Sequence, residues 1–174
     1  PRLGVVSPRK PLAMVDMNGD GQRDLVVFSS RASDGFGNTG EFRIRLAPGF
    51  TTGYVRRFGR LDDIPALADY DGDGITDVGV YRPSASGGGA ATDASIWYWC
   101  PSSNSTVPPD CEFANYMGAS YGTREDIPLP GLKLAATPTL AVYRSSNGTF
   151  YWIPVAGGAQ QSRKVAVDPY PSTP

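Results

Sequence analysis

The chain of 174 residues has no histidine, only two cysteines, and no apolar run long enough to make a membrane-crossing helix. Each absence excludes something. Without histidine there is no Ser–His or Cys–His nucleophilic pair and no imidazole-ligated metal. A spanning helix needs about 20 consecutive apolar residues, so no membrane span is expected. Basic tracts are missing, and 16 Lys and Arg against 17 Asp and Glu leave a net charge of −1. The electrostatic footprint of nucleic-acid binding is therefore lacking. No stretch of about ten residues places its apolar side chains at helical spacing, so helices are not expected either.

The residues present in number are those of turns and short strands. Glycine (21) and proline (16) are spread along the chain. Between them lie brief β-branched and aromatic runs, such as Leu25 to Phe28 and Val78 to Tyr81, too short for helices and suited to strands.

These runs belong to an internal repeat. The spacing Asp-x-Asp/Asn-x-Asp-Gly-x-x-Asp occurs twice, as Asp16, Asn18, Asp20, Gly21, Asp24 and as Asp69, Asp71, Asp73, Gly74, Asp77, with the two copies 53 residues apart. A third unit echoes the rest of the pattern without the acids. Its Glu125, Asp126, Ile127 and Pro128 match Asp62, Asp63, Ile64 and Pro65, and its Tyr143 and Arg144 match Tyr81 and Arg82. Each unit reads as four strands: 12–16, 25–29, 42–47 and 54–58; then 66–69, 78–82, 96–100 and 113–121; then 132–135, 140–144, 150–155 and 163–167. Four strands in 50–60 residues is a propeller-blade signature. The fold class expected is all-β, a small β-propeller-like array of about three four-stranded blades over 11–60, 61–122 and 123–168. Residues 1–10 are a spare extended strand, free to pair within the domain 11–174 or with a neighbour. Propellers usually close with about four to eight blades, so three fall short of a ring.

The acidic loops point to calcium, a hard cation that takes six to eight oxygen ligands. Two sites are expected. Loop 1 offers the side chains of Asp16, Asn18, Asp20 and Asp24 and the carbonyl of Gln22; loop 2 offers Asp69, Asp71, Asp73 and Asp77 and the carbonyl of Ile75. Without a cation, carboxylates this close repel one another. An EF-hand is excluded, because its twelfth position needs Glu and here holds Val27 or Val80. In unit 3 the corresponding stretch 129–138 has no acid, so no ion is expected there, and Leu132 and Leu134 are expected to fill apolar space.

Cys100 and Cys111 flank a polar, proline-rich stretch and read as a disulfide clamping that loop in an oxidising compartment, with two free thiols as the alternative. Asn104 and Asn147 head Asn-x-Ser/Thr triplets in turn-like segments, acceptors for N-linked glycan. Both signals suggest an extracellular or cell-surface address. The chain opens on Pro1 with no signal peptide and reads as a mature, processed chain.

From Ala68 through Asp69, Tyr70, Asp71, Gly72, Asp73 and Gly74 to Asp77, Val78, Val80, Tyr81, Arg82 and Pro83, the sequence resembles the FG-GAP/VCBS repeats of integrin-type and bacterial propellers; the similarity covers about residues 11–165. The resemblance implies a calcium loop joining the first two strands of each blade, and roles in adhesion, ligand recognition or structural support. No enzyme is expected. The acids outside the loops recur as neighbours before Ile-Pro, a placement that suits work between blades more than the facing pair a glycosidase needs. The function expected is an extracellular calcium-binding structural module that self-associates, as the protomer of a fibre through strand donation. The alternative is a carbohydrate- or protein-binding, lectin-like module of a larger secreted protein, with Trp97, Trp99 or Trp152 exposed to ligand. Partners are further copies of the chain, then glycans.

Overall fold

The computed structural model describes residues 10–11, 15–31, 39–60, 62–102, 116–134 and 136–165. These form twelve strands: β1 (Lys10–Pro11), β2 (Leu25–Arg31), β3 (Thr39–Arg45), β4 (Gly53–Arg60), β5 (Ile64–Pro65), β6 (Val78–Arg82), β7 (Ala94–Cys100), β8 (Met117–Thr123), β9 (Ile127–Pro128), β10 (Thr139–Arg144), β11 (Thr149–Pro154) and β12 (Gln161–Lys164). Among the described residues there is no α-helix. The strands make three four-stranded antiparallel sheets, each a simple meander in chain order: β1–β4, β5–β8 and β9–β12. The N-terminal strand expected over residues 1–10 lies, Lys10 apart, outside the described residues.

The second and third strands of each sheet fall close to where their β-branched and aromatic runs place them. The first strands of sheets 2 and 3 do not, and of the one expected at 12–16, residues 12–14 lie outside the described residues. Each first strand is two residues long and ends in proline, at Pro11, Pro65 and Pro128. Proline cannot donate to a ladder, so it is tolerated here because the strand forms the sheet edge. After β5 the Ala66 amide donates to the Gly79 carbonyl (2.8 Å) and an isolated bridge follows at Ala68–Asp77, with Val15–Asp24 as its counterpart in sheet 1. The strand expected at 132–135 is replaced by β9. Residues 129–134 instead turn along the surface, so Leu134 is exposed and Leu132 half-buried rather than filling apolar space.

Alternation along the strands gives each sheet two faces, and the sheets stack through them. Val26, Phe28, Phe42, Ile44 and Phe58 of sheet 1 meet Leu67, Val78 and Val80 of sheet 2. The other face of sheet 2, with Tyr81, Trp97 and Trp99, meets Leu140 and Val142 of sheet 3. Sheet 2 is thus covered on both sides, and Val78, Gly79, Val80 and Tyr81 of β6 are all buried. A strand buried on both faces reads as a continuous apolar run, not as an alternation.

The links between sheets repeat as closely as the strands do. Asp63 follows β4 and accepts hydrogen bonds from the Arg60 amide (2.8 Å) and from Nε and Nη2 of Arg82 (2.8 Å each). One unit later Asp126 follows β8 and accepts from the Thr123 amide and from Nε and Nη2 of Arg144, again at 2.8 Å each. In both places the carboxylate is buried and ties the end of one sheet to the second strand of the next. Gly59 and Gly122 make room for it. Both have positive φ, and a Cβ would lie 2.8 Å from Val80 Cγ1 at Gly59 and 3.0 Å from Tyr81 Oη at Gly122. Burial works to raise the Asp126 carboxyl, but the hydrogen bonds from Arg144 and Thr123 outweigh it and hold the group below its ordinary value of 3.8.

Removing one partner of such a pair strands the other. Asp126→Ala is expected to lower stability by about 3 kcal/mol, read from urea unfolding at neutral pH. Because the folded-state carboxyl lies below 3.8, the stability it contributes is present above that value and is lost as pH falls through the lower folded value. Asp126→Asn should therefore unfold with a shallower acid limb than the parent chain; equal limbs would show that the pair contributes nothing.

Candidate metal centre

Each acidic loop connects the first two strands of its sheet and is wound by its own carboxylates. In loop 2, Asp69 Oδ1 accepts from the Gly72 amide (2.6 Å) and Oδ2 from the Gly74 amide (3.0 Å). Asp71 accepts from the Asp73 amide (3.2 Å), and Asp73 from the Ile75 amide (2.8 Å). Asp77 accepts from the Tyr70 amide (2.8 Å) and the Ser102 amide (2.6 Å). Loop 1 repeats these bonds position by position. Asp16 receives Gly19 and Gly21, Asn18 receives Asp20, Asp20 receives Gln22, and Asp24 receives Met17 and Ala47. Side-chain oxygens capturing the amides two or three residues on is what Asp and Asn do in turns. Gly21 and Gly74 lie at φ +79° and +89° and take the reversal at the sixth loop position.

In loop 2, Asp69, Asp71 and Asp77 each bring one carboxylate oxygen within 4.8 Å of the others. That group could hold a metal ion. Calcium–oxygen distances are about 2.3–2.6 Å, so ligands of one ion lie up to about 5 Å apart, and the three oxygens fit such a shell. Asp73 is not in the group; one of its oxygens takes the Ser102 hydroxyl at 2.7 Å. Loop 1 supplies no group of three carboxylates among the described residues. The place of Asp71 is held there by Asn18, whose amide oxygen is the corresponding donor, so Asp16 and Asp24 are the only acids at the matching positions. The carbonyls of Gln22 and Ile75 occupy the seventh position in each loop.

Asp24 and Asp77 close the two loops and are buried, at 0% and 1% exposure. Burial pushes the Asp77 carboxyl up to about 6, against the Tyr70 and Ser102 amides that favour its anion and with the Asp71 charge adding to the rise. The two loops also touch each other. Thr76 donates its amide to the Asp16 carbonyl (2.8 Å), and Ile75 lies over Gly19. In unit 3 the position of Asp24 and Asp77 is taken by Thr139, whose hydroxyl donates to the Leu132 carbonyl at 2.7 Å.

Ser102 and Ala47 are participants that the spacing of the acids does not reveal. They sit two residues past β7 and β3 and meet the loops only in the folded chain. Of the remaining expected sites, Asn147 stands exposed in the turn before β11 and donates its side-chain amide to Tyr151 Oη at 2.9 Å. Asn104 and Cys111 lie outside the described residues, and with them the expected disulfide; Cys100 is buried at the end of β7 and is not a free thiol.

No family model, curated protein or solved structure matches the chain.

Calcium titrated into the chain should bind at loop 2, and Asp77→Ala should abolish that event, as read by calorimetry. As pH falls through about 6 a proton competes for Asp77, so the affinity should weaken on the acid side; a pH-independent affinity would remove Asp77 from the shell.

Proposed function

We propose that the chain is a calcium-binding structural module built on the FG-GAP/VCBS propeller plan, working outside the cell by associating with further copies of itself. The observation that carries this reading is an open sheet face. Leu25 and Val27 of β2 hold the positions of Val78 and Val80 in β6 and of Leu140 and Val142 in β10. Those four are buried against the preceding sheet, whereas Leu25 is 40% exposed and Val27 half-buried. Val55, across from Arg43, extends the same strip. At the other end, Tyr143, Phe150 and Trp152 of sheet 3 are the counterparts of Tyr81, Trp97 and Trp99, which receive a following sheet in the middle of the chain. They remain half-buried.

One molecule therefore offers both halves of a junction that it already makes twice. Joining the two ends of separate copies gives a head-to-tail contact, which propagates as a filament when it does not close. Arg43 and Arg45 border the face of sheet 1, and guanidinium groups pair favourably with aromatic faces such as those of sheet 3. Strand donation by residues 1–9, ahead of β1, would add backbone pairing between copies. Calcium is the cation that an all-oxygen donor set of this spacing suits, and its part is to stiffen each copy. A disulfide between Cys100 and Cys111 and glycans on Asn104 and Asn147 would suit an extracellular polymer. A non-catalytic role is supported by the engagement of Asp63 and Asp126 with arginine. The lectin-like alternative counted on Trp97, Trp99 or Trp152; Trp97 and Trp99 are buried between sheets 2 and 3, which favours the structural reading, while Trp152 is half-buried on the outer face of sheet 3.

Val27→Glu places a charge on the open face without touching a junction inside the chain. With calcium present, the parent should sediment as oligomers or appear as fibres by negative stain, and the variant as a monomer with the parent's urea midpoint. A parent chain that stays monomeric at the highest attainable concentration would overturn the reading.

A further inference from the structure

The two junctions inside the chain are not identical, and their difference opens a cavity. Registers place Phe58 with Tyr121, Val80 with Val142, Arg82 with Arg144 and Tyr98 with Tyr151. Met117 pairs with Trp99 and Gln161 with Trp152, so the residues just before them, Tyr116 and Gln160, also correspond. At the first junction Tyr116 packs edge-on against Tyr98, with ring centroids 5.6 Å apart, and lies 6.4 Å from Phe58, closing the space between the sheets. At the second junction Gln160 stands there instead, and a cavity of about 240 Å³ opens, lined by Ser120, Tyr121, Thr123, Arg144, Tyr151 and Gln160.

Two exchanges thus turn an apolar, filled junction into a hydrogen-bonding one. Tyr116 gives way to Gln160, and Phe58 to Tyr121. The Tyr121 hydroxyl oxygen is shut off from solvent and has no hydrogen-bond partner among the described residues. Leaving a buried polar group unsatisfied is unfavourable, and the first junction shows that phenylalanine fits this position. Burial raises the Tyr121 pKa, with the Asp126 charge adding to it, so the group stays a neutral hydroxyl that can donate or accept.

Charge and size narrow the ligand. Arg144 is the one ionic group of the wall, and Asp126 already neutralises it through two bonds of 2.8 Å. Nothing in the cavity favours an anion. The volume lies just under the roughly 300–1,000 Å³ of ordinary ligand pockets, so it admits one small ring and not a chain of them. Hydroxyl, amide and guanidinium donors around a tyrosine ring are the groups that meet a polyhydroxylated ring.

We propose that the junction between sheets 2 and 3 is a binding site for a single neutral monosaccharide unit, held by Tyr121, Gln160 and Arg144 against Tyr151. The site does not rest on self-association, because the open face at Leu25 and Val27 belongs to another side of the stack. The sugar has two sources: an external glycan, or the chain's own glycan on Asn147, whose amide already reaches Tyr151.

The test uses the whole chain and its Asn147→Gln variant with glucose, galactose, mannose and N-acetylglucosamine, read by saturation-transfer NMR and calorimetry. Binding to both preparations assigns the site to external sugar; binding only to Asn147→Gln assigns it to the chain's own glycan. In whichever preparation binds, Gln160→Tyr refills the cavity as Tyr116 does and should abolish binding, and Tyr121→Phe should weaken it about tenfold, the loss of about 1.4 kcal/mol. Both variants restore a residue of the first junction, so their thermal midpoints should equal or exceed the parent's. If none of the four sugars binds either preparation, or if Gln160→Tyr binds as the parent does, the proposal is wrong.

Discussion

Two buried carboxylates, Asp63 and Asp126, set where each sheet stands against the one before it. A charge removed from water is tolerated only when its hydrogen bonds are made. Each carboxylate meets that condition in one arrangement, with the amide of the preceding strand on one side and an arginine of the following sheet on the other. The linker must then bend at a residue that accepts positive φ and presents no Cβ, hence Gly59 and Gly122. With the linker fixed, Val80 and Val142 fall against the preceding sheet. The arginines lie over Tyr98 and Tyr151, at 4.6 and 4.8 Å from the ring centroids. Sheet 1 departs from this pattern. The position of Arg82 and Arg144 is held there by Ser29, which cannot form the paired bond. Any contact on that side of sheet 1 has to come from surface packing, which its strip of Leu25, Val27 and Val55 can supply.

Much of this order is local, and the local part was legible in the sequence. The two acidic loops repeat at a fixed spacing, because the first three side chains of each bind amides two to five residues away; only the closing Asp24 and Asp77 draw in the distant amides of Ala47 and Ser102. The second and third strands carry β-branched and aromatic runs that say what they are. The first strands of sheets 2 and 3 lie ahead of their expected positions because their pairing rests on two residues at a sheet edge, too few to leave a period. The bonds between Asp63 and Arg82 and between Asp126 and Arg144 span 19 and 18 residues. Both ends of each pair were visible as repeated signs, Asp-Ile-Pro and Tyr-Arg, but nothing local joins them. The correspondence of Tyr116 with Gln160 was hidden more deeply. The long segment between β7 and β8 breaks the alignment of units 2 and 3, and only strand register restores it.

The loops carry the last consequence of the repeat. The bonds from their backbone amides to the loop side chains recur whether the third position is Asn18 or Asp71, so this part of the backbone geometry does not depend on the charge there. Electrostatics does. Two unit charges about 4 Å apart near a protein surface repel by about 4 kcal/mol, and loop 2 holds one carboxylate more than loop 1. A cation therefore relieves more repulsion in loop 2. That loop also has neighbours on both sides, with Ile75 over Gly19 of loop 1 and Gly72 facing Pro138 of unit 3. In unit 3, Thr139 closes the equivalent turn with a neutral hydrogen bond that asks for no ion. Charge thus peaks in the middle loop and vanishes in the last. An ion bound at loop 2 would stiffen the stack from its centre, where the neighbouring units on either side lean on the same turn.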